Sequence, residues 1–238
     1  MMMIKKRGLI FFVFVLWLSA CGTDSSNAAT EYYEKGLKYL EADNYNAAII
    51  EFKTAIDLKD GEPDFHYKLG LAYLETGKIK SAEKELVKAV ELDPSIKDAN
   101  LKLAQVFLAR REFDSAYKTA REVVSQYPDE TDALKIMGAV SVVRQDYEEA
   151  RGYYQRAIEI DSEDSSAYIG LGSVYVEEGK FAKADIEFKN ALDWDVDSVH
   201  AIYAKVELEL RRNDYQAAIA NLERILEHEP KHFMAQMK

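Results

Sequence analysis

Near the C-terminal end of the sequence stands His228-Glu229-Pro230-Lys231-His232, a literal match to the H-E-x-x-H pattern. In zinc hydrolases two histidines one helical turn apart hold the metal and the glutamate acts as base. Here a proline separates them. Proline in a helix interior removes a backbone hydrogen bond and costs about 3 kcal/mol, and the six residues after His232 leave little chain for a third ligand. A zinc-dependent enzyme using His228 and His232 is therefore the most distant reading. His66 and His200 have no cysteine beside them and read as satisfied or exposed groups. The acidic run Asp161-Ser162-Glu163-Asp164 lacks the glycine and terminal glutamate of a calcium loop. No Gly-rich phosphate loop and no Ser/His/Asp arrangement appears. The sequence points to no enzyme, no metal and no cofactor.

Cys21 is the single cysteine, so no disulfide framework is expected. It follows a basic start (Lys5, Lys6, Arg7), an apolar run from Leu9 to Leu18, and the small residues Ser19 and Ala20. That order is a secretory signal over residues 1–20, too short for an ordinary spanning helix. The Leu18-Ser19-Ala20-Cys21 ending resembles the bacterial lipobox, which implies that Cys21 becomes the diacylated first residue of the mature chain. The alternative is an uncleaved N-terminal anchor. Either way the body is expected at a membrane surface outside the cytoplasm. Gly22 after the cysteine favours the outer membrane in a diderm host, or the plasma-membrane exterior in a monoderm one.

Removing residues 1–20 takes away three positive charges and no acids, moving the formal charge from −11 to −14. Such a body is a poor partner for nucleic acid, because nothing offsets phosphate repulsion. Anionic headgroups repel it too, so membrane contact falls to the lipid.

The rest of the chain is one repeat. On a 34-residue period it divides without insertion into blocks 29–62, 63–96, 97–130, 131–164, 165–198 and 199–232, leaving 21–28 as a polar tether and 233–238 as the start of a further helix. Position 20 of the frame is Ala48, Ala82, Ala116, Ala150, Ala184 and Ala218. Position 17 is always bulky (Tyr45, Ile79, Phe113, Tyr147, Phe181, Tyr215), and position 24 is mostly large (Phe52, Leu86, Tyr154, Phe188 and Leu222, but Ala120). Position 8 is small except at Val206, and Pro94, Pro128 and Pro230 share position 32. Each block carries two apolar stripes at helical spacing with a short polar turn between them, as in Tyr67/Leu71/Leu74 and Ala82/Leu86/Ala89 around Glu75-Thr76-Gly77-Lys78. A lone helical pair cannot cover both of its faces, so neighbouring pairs must stack.

The pattern is similar to the tetratricopeptide repeat (TPR), with Leu69-Gly70-x-x-Tyr73, Ala82 and Pro94 in the second block and Leu171-Gly172-x-x-Tyr175, Ala184 and Phe188 in the fifth. The sixth departs most, with Lys205, Val206 and Glu209 in place of Leu, Gly and Tyr. The expected fold is all-α, a TPR superhelical solenoid of six helix-turn-helix repeats. Stacking would leave Ile219, Leu222 and Ile225 without a full cover. The array then either continues or offers that face for end-to-end contact with another molecule.

The resemblance implies a concave groove lined by the first helix of each repeat. Position 5 supplies Tyr33, Tyr67, Leu101, Lys135, Ile169 and Tyr203; Leu37 and Leu71 stand at position 9; position 12 is apolar throughout. With Glu41, Asp64, Glu75, Asp98, Asp132 and Glu177 beside them, the expected surface is a trough with an apolar floor and acidic walls. It suits a protein or peptide partner with apolar anchors and basic flanks. Positions 9 and 12 could equally serve to pack neighbouring helices. The Lys and Asn that clamp a C-terminal carboxylate in chaperone-type members are not both present, since Ala139 accompanies Lys135. In sum the chain resembles bacterial TPR lipoproteins, those of exopolysaccharide/exosortase (PEP-CTERM) systems and, less closely, the pilotin-like lipoproteins of type IV pili. The resemblance implies a membrane-anchored scaffold for envelope assembly or export.

Overall fold

The computed structural model describes residues 26–228. The signal sequence, Cys21, the motif residues Glu229 to His232 and the segment 233–238 lie outside the described residues. What is described is helical throughout apart from short turns: α1 (26–41), α2 (Tyr45–Leu58), α3 (Pro63–Glu75), α4 (Ile79–Leu92), α5 (Lys97–Ala109), α6 (Phe113–Gln126), α7 (Thr131–Val143), α8 (Tyr147–Ile160), α9 (Ser165–Glu177), α10 (Phe181–Trp194), α11 (Val199–Arg211) and α12 (Tyr215–His228). From α4 onward each helix starts 34 residues after the equivalent helix of the preceding pair. The first helix of a pair opens at frame position 1 and the second at position 17. Residues 26–28, read as tether from sequence, belong to α1.

The strict recurrence has a local cause at the turn inside each pair. The residue at position 15 takes a left-handed conformation every time: Asp43, Gly77, Arg111, Gln145, Gly179 and Asn213. The next amide then reaches back five residues to a carbonyl of the helix it has left, as Lys78 N does to Tyr73 O (2.9 Å) and Asp146 N to Ser141 O (2.9 Å). This is the Schellman closure, which satisfies carbonyls that a helix end would otherwise strand. Only two of these positions hold glycine.

The chain divides into two compact units, Met1–Leu103 and Ala104–Lys238, with the boundary inside α5. In the first, Ala48, Phe52, Leu69 and Ala72 form a buried cluster against which Tyr33, Leu37 and Leu40 pack. In the second, Ala150, Tyr154, Leu171, Val174, Ala184 and Phe188 form the core of α8 to α10. The alanines of position 20 are sealed from solvent in both. The small residue at position 8 has a specific purpose, which is to admit the side chain at position 24 of the same pair. A Cβ on Gly70 would stand 2.9 Å from Leu86 Cγ, and one on Gly138 would stand 2.9 Å from Tyr154 Cε2. Tyr154 is held from the other side as well, since a Cβ on Gly170 of the next pair would also collide with its ring. Burial pushes the Tyr154 hydroxyl's pKa up to about 12.

A left-handed residue other than glycine stores backbone strain of about 1 kcal/mol. Gln145→Gly and Arg111→Gly should therefore each raise the free energy of unfolding by up to about 1 kcal/mol, while Gly179→Ala should lower it. A urea titration that ranked the three variants in the reverse order would show that the turn does not limit stability.

Candidate functional site

In the first unit, helices α1 and α3 bring Tyr33, Leu37, Tyr67 and Leu71 to one side, with Leu101 on the first part of α5. The tyrosines are not the free anchors that an exposed row would provide. Tyr33 is half-buried; its ring stacks on Phe65 with centroids 4.6 Å apart, and its hydroxyl donates to Asp64. Burial first, then Asp64, raises the pKa of that hydroxyl. Tyr67 is buried, as is Leu101, and Lys68 places its ammonium 5.1 Å from the Tyr67 ring centre. The apolar surface still open to solvent is carried by Leu37 and Leu71 with Leu40 and Leu74, all half-buried, and Glu41, Asp64, Glu75 and Asp98 beside them are exposed.

In the second unit the equivalent positions behave differently. Lys135 is clamped by Asp132 (2.8 Å), Asp164 (2.6 Å) and the Ser166 hydroxyl (2.9 Å). Burial lowers its pKa, but these two carboxylates outweigh that and leave it raised. They line a cleft of about 530 Å³ that Asp161, Glu163, Asp195 and His200 also border. Ile169 and Tyr203 are half-buried, and the Tyr203 hydroxyl is enclosed without a hydrogen-bond partner. At position 12, Val176 is buried whereas Leu210 is exposed. Glu177 pairs with Arg211 at 2.8 Å, so the acidic wall is partly neutralised here. Among the described residues no group of three His, Cys, Asp or Glu side chains could hold a metal, and no helix is long and apolar enough to cross a membrane.

The structure also shows a role that sequence reading missed. In the turn between pairs, the carbonyl at position 32 receives a side-chain donor in every described case. His66, Asn100 and Tyr168 at position 4 donate to Asp60 O (3.0 Å), Pro94 O (3.0 Å) and Ser162 O (3.1 Å). Where position 4 is apolar, at Leu134 and Ile202, an arginine at position 26 supplies the donor instead: Arg156 to Pro128 O (2.7 Å) and Arg224 to Val196 O. The signal was present in the sequence as a compensating pair of columns, visible only once the contact is known.

His66 is thus a buried structural cap. Its Nε2 faces the Asp60 carbonyl and its Nδ1 faces Glu85 Oε2 at 2.8 Å. Both partners are acceptors when Glu85 is ionised, so both ring nitrogens must carry protons. Burial lowers the His66 pKa, but the Glu85 carboxylate, the Asp60 carbonyl and the two acidic charges together leave it raised. It borders a cleft of about 540 Å³ among α2, α3 and α4 that Lys53, Lys84 and Lys88 also line.

Stacked helical hairpins whose side chains are spent on packing, with an open face of leucines and acids, define a repeat scaffold for protein interaction. Sequence models described as tetratricopeptide repeat match residues 31–77, 67–131, 101–165, 144–208 and 203–238, one model alone covering more than half of the chain. The chain belongs to the tetratricopeptide-repeat family, and it folds as an all-α TPR solenoid. No curated protein matches it. Among solved structures it is similar to PilF of Pseudomonas aeruginosa (17% identity, 90% of this chain and 99% of that one, TM-score 0.67). It is also similar to a tetratricopeptide repeat protein of Parabacteroides merdae (15% identity, 84% and 79%, TM-score 0.75). A third is YrrB, described as a TPR protein with an unusual peptide-binding site (19% identity, 79% and 96%, TM-score 0.65). At such identities the likeness is one of fold.

A group whose folded pKa is raised stabilises the fold below its unfolded pKa and loses that contribution as pH rises through the folded value. The denaturation midpoint should therefore be higher at pH 6 than at pH 9 through His66. His66→Asn keeps a donor of the type Asn100 uses and should flatten this part of the profile. An unchanged profile in His66→Asn would assign the pH dependence to other groups.

Proposed function

We propose that the chain is a lipid-anchored, extracytoplasmic scaffold whose helix faces hold a protein or peptide partner during envelope assembly or export, with an exopolysaccharide/PEP-CTERM-type system as the first reading. The observation that carries the partner class is the face of the first unit. Half-buried Leu37, Leu40, Leu71 and Leu74 form an apolar strip flanked by the exposed acids Glu41, Asp64, Glu75 and Asp98. Apolar side chains of a partner can bury against the strip, and basic flanks are drawn to the acids, which act mainly on the rate of encounter. Membrane attachment rests on Cys21 and the Leu-Ser-Ala-Cys ending. A pilus- or secretin-assembly role is the second reading, supported by the nearly end-to-end fold match with PilF.

Two measurements test this. Cys21→Ser should move the protein out of the membrane fraction and remove an acyl mass; identical fractionation and mass would end the lipid assignment. Glu41→Lys with Glu75→Lys and Asp98→Lys should leave helix content intact, weaken partner capture about tenfold and reduce the salt dependence of association. Tyr67→Ala is the contrasting variant. It removes a buried ring at a cost of about 3 kcal/mol, so it should lower stability, and it reports on the partner only indirectly.

A further inference from the structure

The turn after α10 breaks the chain's own rule. Asp195 to Ser198 is a tight turn closed by Ser198 N to Asp195 O at 3.1 Å. Its second residue, position 32, is a turn-favouring residue in the other described turns, namely Asp60, Pro94, Pro128 and Ser162. Here it is Val196, a β-branched residue that gains nothing from the position and is 62% exposed. Beside it Trp194, the last residue of α10, is 50% exposed, and Ile160 holds the same frame position in the preceding repeat and is also exposed. The turn is well fixed. Asp195 N bonds Ala191 O (3.0 Å), the Arg224 guanidinium bonds Val196 O, and Ser198 Oγ accepts from Ala201 N (3.4 Å). Two large apolar side chains are therefore presented to water from a backbone that has little left to lose on binding. Around them Asp193 and Asp195 are exposed, as are Asp161 and Glu163 of the preceding turn, while Asp197 is paired with Arg224 at 3.9 Å. Departures from local preference without a structural gain concentrate at functional sites, and tryptophan is enriched among residues that dominate interfaces.

We propose that the Trp194–Val196 turn is a second docking surface, lying outside the leucine strip, for a basic protein segment that carries an aliphatic or aromatic anchor. The anchor packs on Trp194 and Val196 while Lys or Arg side chains meet Asp193 and Asp195. The acidic rim selects against acidic partners and against anionic lipid, which share the sign of its charge.

The test uses the full chain with Trp17→Phe, which leaves Trp194 as the only indole. A synthetic peptide alternating Lys and Leu should shift Trp194 emission to the blue and saturate; Glu/Leu and Lys/Ser peptides of equal length should not. Val196→Pro installs the residue that two of the equivalent turns use, at Pro94 and Pro128, so it should keep helix content and weaken Lys/Leu binding about tenfold by calorimetry. Glu41→Lys with Glu75→Lys should leave the Trp194 response unchanged, which separates this surface from the leucine strip and lets either fail alone. No emission shift with the Lys/Leu peptide would overturn the proposal, as would equal affinity in Val196→Pro or an equal response to the Glu/Leu peptide. A shift produced by phosphatidylglycerol vesicles alone would identify a lipid surface instead, and one that grows with protein concentration alone would identify a second copy; each overturns it.

Discussion

The architecture depends on how closely two helices of a pair can approach, and that distance is fixed by the side chain at position 24 seated on the small residue at position 8. Phe52 over Gly36, Leu86 over Gly70, Tyr154 over Gly138 and Phe188 over Gly172 are the same contact in different sizes. A Cβ at the glycine would have to move a ring or a branched aliphatic group already closed in on its other sides. The core tolerates such overpacking poorly. The position-20 alanines, buried without exception, keep the second helix equally near. Once this seat is set, the turn at position 15 must close in a left-handed conformation whatever residue stands there. That is why Arg111 and Gln145 accept strain that glycine would avoid.

A second recurring contact stands at the other turn. The carbonyl at position 32, on an exposed turn residue, takes a side-chain donor in each described turn. The chain answers with whichever of two columns can reach it, position 4 or position 26. An imidazole, an amide and a phenol serve from the first, and guanidinium groups serve from the second. His66 belongs to this set. Its unusual burial and its raised pKa come from holding a turn, and neither implies chemistry. The same economy appears at position 11, where Ser141 and Glu209 replace the aromatic residues of other repeats. Ser141 Oγ donates to Glu149 at 2.7 Å, and Asn221 donates to both Glu209 oxygens. The Ser141 hydrogen bond is the main reason the Glu149 carboxyl titrates below the usual range.

Period, helix count and the small columns were legible in the sequence because they answer to packing, and packing repeats every 34 residues with the same demands. Gly70, Ala82 and Pro94 announce their environments by type alone. The candidate surface was legible only in part. Position 5 gives Tyr33, Tyr67 and Tyr203 in one column, which looks like a row of anchors. Yet a tyrosine reads the same whether its ring faces water or, as at Tyr33, stacks on Phe65 and gives its hydroxyl to Asp64. Burial at that column depends on residues around the start of the next repeat, and these vary: Asp64 and Phe65, at its positions 2 and 3, cover Tyr33, whereas Ser166 at position 2 and Asp164 just before that repeat clamp Lys135. A single-column reading has no access to such cross-repeat complementarity. In the first unit the leucines at positions 9 and 12 are half-buried, Leu37 and Leu40 packing against the cluster of Phe52, Leu69 and Ala72, and the acids beside them are exposed.

A repeat scaffold separates two kinds of information. Residues that set the helix approach are constrained by every neighbour, so they recur and can be read from the period. Residues free of that constraint can differ from repeat to repeat, and there a departure carries meaning. Val206 stands in place of a position-8 glycine and is buried. Val196 is different: it stands where the other described turns have Asp60, Pro94, Pro128 or Ser162, and its exposed branched side chain gives the turn nothing. An apolar side chain that the fold neither buries nor requires, held on a fixed turn among like charges, is explained more readily by what lies outside the chain than by anything within it.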